Sequence, residues 1–142
     1  MREKINYEYI IIDTPPSLDI LTINALTATD KVVVVAQADV YSISGLDKLN
    51  EAIELVKEYT NENIKIDGIL ITRYNSRTNL SKDIFQTFED IAKQIGTRVY
   101  TTPIRETIKI KEVQARQGNI FELYPKENVT KDYLSFVEEL LK

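Results

Sequence analysis

The stretch YEYIIIDTPPSLDILTINALTATD, residues 7–30, decides how the rest of the chain is read. Residues 9–13 (YIIID) are a short apolar run ending in an acid, which predicts a buried strand. Pro15 and Pro16 stop it, since proline has no N–H to give to a ladder. Ser17 is placed to cap a short helix over about 18–28. Such a strand would deliver the Asp13 carboxylate to the carboxyl edge of an open α/β sheet, where these sheets bind ligands. Asp also ends strands merely because it starts turns. The continuation Thr14-Pro15-Pro16-Ser17 is the rarer feature, and it favours a site over a simple turn.

Working outward, strand-like and helix-like periods alternate, the signature of an α/β domain with a parallel sheet. Residues 31–36 (KVVVVA) predict a second strand, covered on both faces. Ser42 or Ser44 opens a long helix to about residue 59, with Ile43, Leu46, Leu49, Ile53 and Val56 on one face. Residues 66–72 (IDGILIT) are a third strand and 73–79 a polar, basic loop. A helix over about 81–95 aligns Ile84, Phe88, Ile91 and Ile95, and Gly96 is its C-terminal cap. Residues 98–101 predict a short fourth strand, followed by a helical turn within 104–117 ended by Gly118. A final helix over about 131–141 turns Tyr133, Leu134, Val137 and Leu141 to the sheet. The expectation is one domain, residues 1–142, with at least four strands.

Composition removes whole classes of chemistry. The chain has no cysteine and no histidine, which excludes disulfides, Ser-His-Asp triads, Cys-His dyads and Cys/His zinc sites. Hydrophobic residues make up 43% and charged residues 28%, a globular balance. No apolar run approaches the roughly 18 residues a membrane span needs. The opening MREK leads into polar sequence with no sign of a signal peptide, so a cytoplasmic location without a membrane partner is expected. The formal net charge is -4, so the surface as a whole does not attract nucleic acid, and any DNA contact must come from a local basic patch.

An apolar strand ending in Asp is also the Walker B arrangement, in which the carboxylate holds a magnesium-bound water near nucleotide phosphates. The segment DTPPSLDILTINALTATDKVVVV (residues 13–35) resembles the Walker B region of the ParA/MinD group of deviant Walker A ATPases, and within it the ParA/Soj-type chromosome and plasmid partition branch. The similarity continues through YSISGL (41–46), IDGILIT (66–72), RTNLS (77–81), IKIKEVQA (108–115) and the last helix. The resemblance covers nearly the whole chain, in the family's order. It implies a P-loop NTPase-like three-layer fold, a mainly parallel sheet flanked by helices. It also implies ATP and magnesium as cofactors, an ATP-sandwich dimer, nonspecific DNA binding and a ParB-type partner.

The resemblance also assigns residues. Asp13, with Thr14 beside it, takes the Walker B position and touches magnesium through water. Arg77 falls on a DNA-contacting arginine, and Lys109 on a second DNA-contacting basic residue. Arg105 and Thr107 match the loop that contacts adenine, where the family usually carries Pro and Asn. Gln37 and Asp39 match a strand end that usually reads Gln-Pro-Glu, although Asp39 equally suits a simple cap.

One departure is large. The family opens with a Lys- and Gly-rich phosphate loop, KGGxGKT, whose backbone amides cradle phosphates. The four glycines here (Gly45, Gly68, Gly96, Gly118) are too far apart to build one. The sequence therefore predicts the C-terminal portion of such a domain, without the Walker A strand, complete catalytic machinery or tight cofactor binding. Its alternative reading is a noncatalytic dimerisation or DNA-binding module that regulates an intact relative. A sheet lacking that strand should expose an edge, which favours self-association.

Overall fold

The structure, a computed structural model, describes residues 7–142. Two parallel strands, β1 (Lys31–Gln37) and β2 (Lys65–Thr72), run in register from Lys31 opposite Lys65 to Gln37 opposite Thr72, with one irregularity between Val32 and Val33. The far edge of β2 is taken by residues 98–106. There the Ile69 N–H donates to the Arg98 carbonyl (2.9 Å), the Tyr100 N–H to Ile69 (2.9 Å) and the Ile104 N–H to Ile71 (2.8 Å). This pairing is parallel at Val99 and again at Arg105, which faces Tyr74. It never becomes a continuous strand, because Pro103 has no N–H to donate and the chain bulges around it. The expected fourth strand is thus a pair of bridges.

The expected first strand is corrected outright. Residues 9–13 lie outside any strand, and their side chains are exposed, Ile11 at 93%. A lone extended segment is stable only with a ladder partner. Among the described residues, β1 pairs with β2 alone and offers no partner to residues 9–13.

Helices cover the sheet on two sides. α1 (Ile20–Ala28) is capped by Asp19, whose carboxylate accepts from the Leu21 and Thr22 amides; Ser17 supports this cap by donating to Asp19 rather than capping itself. α2 (Val40–Tyr59) begins two residues earlier than Ser42 because Asp39 caps it, accepting from the Ser42 amide. α3 (Asn79–Gln94) is capped by Thr78 and ends at Gly96, whose φ of +71° suits glycine. α4 (Ile108–Ala115), α5 (Ile120–Leu123) and α6 (Asn128–Leu140) complete the order.

Period-2 alternation divides the sheet's side chains between these layers. Val34, Ala36, Ile69 and Ile71 pack with Leu46 of α2 and with Ile84, Phe88 and Ala92 of α3. Leu70, Tyr100 and Ile104 point the other way, against Val129, Tyr133, Phe136 and Leu140. Leu26 of α1 joins Ile53, Val56 and Ile64 in a third cluster. The stripes expected on α2 and α3 are the ones buried. On α6 the buried stripe is rotated from the expected one, leaving Leu134, Val137 and Leu141 exposed. Phe136 sets this rotation by meeting the Tyr100 ring edge-on at 4.9 Å.

The amino end of the strands is tied by Asp67. Its side chain, 10% exposed, receives Lys31 Nζ (2.9 Å), Arg98 (3.1 Å) and the Tyr100 hydroxyl (2.8 Å). Burial alone would raise its pKa, but these three donors outweigh burial and hold it at about 2. A lowered folded pKa gives stability that is present above the unfolded value and lost as pH falls through the folded one. We therefore expect urea stability to drop by about 2 kcal/mol between pH 4 and pH 2 through this group. Asp67→Asn should remove that share of the pH dependence, and an unchanged acid slope in the variant would refute the assignment.

Candidate functional site

β2 ends at Thr72 and the chain then changes partners. Thr72 pairs with Gln37 of β1, whereas Tyr74 pairs with Arg105 on the opposite side. Arg73, between them, adopts φ +52°, a left-handed conformation uncommon for a non-glycine residue. Such conformations persist where surrounding structure over-determines them, and they gather at functional sites. Here the ladder bonds on both sides, from Ala38 N–H to Thr72 and from Tyr74 N–H to Ile104, fix the backbone of the switch.

The side chain of Arg73 spans the carboxyl edge of all three extended segments. One guanidinium nitrogen donates to Gln37 Oε1 at the end of β1 (3.0 Å), and another to Glu106 Oε1 at the end of 98–106 (3.2 Å). Arg73 is 60% exposed and Glu106 47%, so the bridge lies at the surface of the edge. This is the edge at which open α/β sheets bind ligands. The sequence had placed Gln37 here and mentioned no role for Arg73 beyond a basic loop; only the fold shows that the three ends meet.

Residues 104–107 are held on the same edge from behind. Arg105 makes a forked pair with Asp132 of α6, Nε to Oδ2 at 2.6 Å and a terminal nitrogen to Oδ1 at 2.7 Å, and its backbone N–H also donates to Asp132. That hydrogen bond holds the guanidinium above its usual pKa. The Asp132 side chain is 7% exposed and that of Arg105 48%. The forked contact therefore commits Arg105 to anchoring the loop. Asp132 was missed in the sequence because an acid inside an amphipathic helix carries no local mark of a partner 27 residues away. Thr107 is likewise occupied, its hydroxyl accepting from the Lys109 amide as the cap of α4.

The two basic positions differ. Arg77 is exposed in the loop before α3, with its amide donated to Asn75 Oδ1, and forms no ion pair among the described residues. Lys109 instead pairs with Glu112 (3.2 Å) and lies over the Tyr124 ring at 4.6 Å. Asp13 and Thr14 are exposed and outside any strand. Magnesium keeps most of its waters when few protein carboxylates bind it. Among the described residues no group of three or more acids could hold a metal ion directly. No helix among the described residues is long and apolar enough to cross a membrane.

The Arg105–Asp132 pair gives an unequal prediction. Arg105→Ala strands a buried carboxylate and should cost about 2 kcal/mol in urea unfolding, less than the 3–5 typical of fully buried pairs because the guanidinium reaches water. Asp132→Asn, which leaves that guanidinium free to hydrate, should cost less; the reverse order would contradict the anchoring role.

A family model described as an AAA domain matches residues 2–66. The sporulation initiation inhibitor protein Soj of Bacillus subtilis is 38% identical over 137 residues, 96% of this chain and 53% of that protein. The chromosome partitioning protein ParA of Myxococcus xanthus is 35% identical over 136 residues, 96% of this chain and 47% of that protein. In structure, a cobyrinic acid a,c-diamide synthase from Mycobacterium smegmatis with bound ADP and magnesium superposes with a TM-score of 0.76 at 30% identity, over 99% of this chain and 49% of that one. The chain spans about half the length of the curated relatives it matches. Over 96% of its length the chain is thus similar to proteins of the ParA/Soj type, at 35% to 38% identity.

Proposed function

We propose that this chain is a nucleotide-responsive part of a DNA partition system, one that does not hydrolyse ATP by itself. The observation that carries this reading is the carboxyl edge where Gln37, Arg73 and Glu106 meet, in a chain that matches a chromosome partitioning protein over 96% of its length. In this reading the edge receives a nucleotide weakly, and Asp13 with Thr14 contributes an outer contact to its magnesium. Phosphoryl transfer depends mainly on positioning and charge neutralisation, which the glycine- and lysine-rich loop supplies. Residues 7–142 contain no such loop.

Nucleotide is the regulator and DNA the target. Arg77, exposed and without an ion-pair partner among the described residues, is the better phosphate contact of the two basic candidates. Lys109 would have to exchange Glu112 and the Tyr124 ring for DNA before it could contribute. Arg105 and Thr107 serve the nucleotide through the backbone they fix, since both side chains are engaged. A ParB-type partner, chromosomal or plasmid DNA and a cytoplasmic setting complete the proposal.

A second reading has its own observation. β1 has an unpaired edge among the described residues, and Ile10, Ile11, Ile20, Leu21 and Val35 near the chain's beginning and along β1 are exposed. Unpaired edges invite strand addition, so the chain would serve as a noncatalytic dimerisation module. Light scattering decides between a monomer, which counts against this module, and a dimer or larger species.

Purified protein should show no ATP turnover comparable to that of an intact partition ATPase; comparable turnover would overturn the noncatalytic reading. Nucleotide binding should be weak and strengthened by magnesium, and Asp13→Ala should abolish the magnesium effect without abolishing binding. For DNA, Arg77→Ala should weaken binding to all sequences alike and lower the salt slope by about 1, with a smaller loss for Lys109→Ala. No DNA binding by the unaltered chain at low salt would remove the DNA half of the proposal.

A further inference from the structure

We infer that residues 9–12 of one copy add as a strand to the open edge of β1 in a second copy, each chain giving its run to the other. The inference rests on the dimerisation reading above and names the segment that fills the edge. Among the described residues, β1 is paired to β2 on one side alone. Tyr9, Ile10, Ile11 and Ile12 carry strand-forming side chains, yet they lie outside any strand and are exposed. An extended run is stable only with a neighbour, and an open edge accepts one through its free N–H and C=O groups. A second copy supplies to each feature the partner it lacks.

Side chains and charge agree on where the run lies. Val34 and Ala36 of β1 are buried against α2 and α3, while Val33 packs on the opposite face with Leu70 and Tyr100. Val35 shares the face of Val33 by alternation, but is 66% exposed. The apolar run is bracketed by Glu8 and Asp13, and β1 begins at Lys31, a half-exposed lysine that also holds Asp67. Parallel addition brings Glu8 beside Lys31, and antiparallel addition brings Asp13 there. Either register lays residues 9–12 along Val32–Val35, with Ile12 or Tyr9 beside Val35. Pro15 and Pro16, with no N–H to donate, end the pairing just beyond.

Reciprocal exchange is two-fold symmetric and closed, so both edges are filled and no further copy is recruited. Pairing β1 directly against β1 would also fill both edges, but would leave Ile10, Ile11 and Ile12 in water. Exchange removes the run and the edge from solvent together, and it disturbs no element of the fold because residues 9–12 belong to none.

The chain has no cysteine, so introduced thiols report only on themselves. Val35→Cys protein is mixed with Tyr9→Cys or with Ile12→Cys protein and oxidised; all three positions are exposed. At least one mixture should give disulfide-linked pairs with one chain of each kind, and Val35→Cys alone should give none. Ile10→Pro and Ile11→Pro provide a second measurement. Successive N–H groups face opposite edges of a strand, so one of the two prolines must remove a ladder bond. In light scattering that variant should dissociate about tenfold more readily, with its far-ultraviolet circular dichroism unchanged. Dimers that give no mixed pairs, or that persist unweakened in both proline variants, overturn the exchange and leave the dimerisation reading standing. A monomeric unaltered chain overturns both.

Discussion

β2 is the constraint from which the rest of the molecule follows. It is the strand paired on both sides, to β1 along its length and to residues 98–106 through three backbone hydrogen bonds, with two more made by Tyr74 just beyond it. Ile69 and Ile71 on one face are fully buried, and Leu70 on the other nearly so. Because parallel pairing aligns all three segments the same way, their carboxyl ends finish together. Arg73 can bridge Gln37 and Glu106 only because β2 sits between the strands that carry them. The amino end is fixed with equal economy by Asp67, which gathers Lys31, Arg98 and Tyr100. One end of the strand thus spends its charges on stability, and the other presents them at an exposed edge.

Much of the architecture was legible because it depends on local period. The apolar stripes Leu46–Ile53–Val56 and Ile84–Phe88 declare amphipathic helices, and the VVVV and ILI runs declare strands. Only the ILI run is buried on both faces; the expected double cover of β1 does not hold, because Val35 is exposed on a strand with one neighbour. Asp39 as a cap and Gly96 as a helix end are equally local signals. What failed was non-local. The apolar run at 9–13 has every intrinsic feature of a strand, yet strand formation is a property of pairs, and the described part of the chain offers it no neighbour. Pro103 interrupts the third extended segment for a local reason, but the bridges on either side of it depend on β2. The rotated face of α6 follows from Phe136 against Tyr100 and from Asp132 beneath Arg105, contacts that helical period does not encode.

The same division runs through the site. The family resemblance placed residues of interest at 13, 77, 105, 107 and 109, and sequence similarity to Soj and ParA proteins supports that kinship without help from the position of Asp13. Geometry then separates the residues by occupation. Arg105, Thr107 and Lys109 are each engaged with a partner in the chain, while Arg77 is open to solvent. Arg73 was hidden in the sequence as one more basic loop residue. Its importance lies in a backbone switch between two ladder partners, which only the three-dimensional pairing reveals.

Hydrogen exchange in the presence and absence of saturating magnesium-ATP is the most direct measure of whether the carboxyl edge receives a nucleotide. The account predicts slowed exchange confined to the strand-end segments, residues 37–39, 73–75 and 104–107, with the Asp67 end unchanged. Protection that appears at the amino end of the strands, or nowhere, would contradict it.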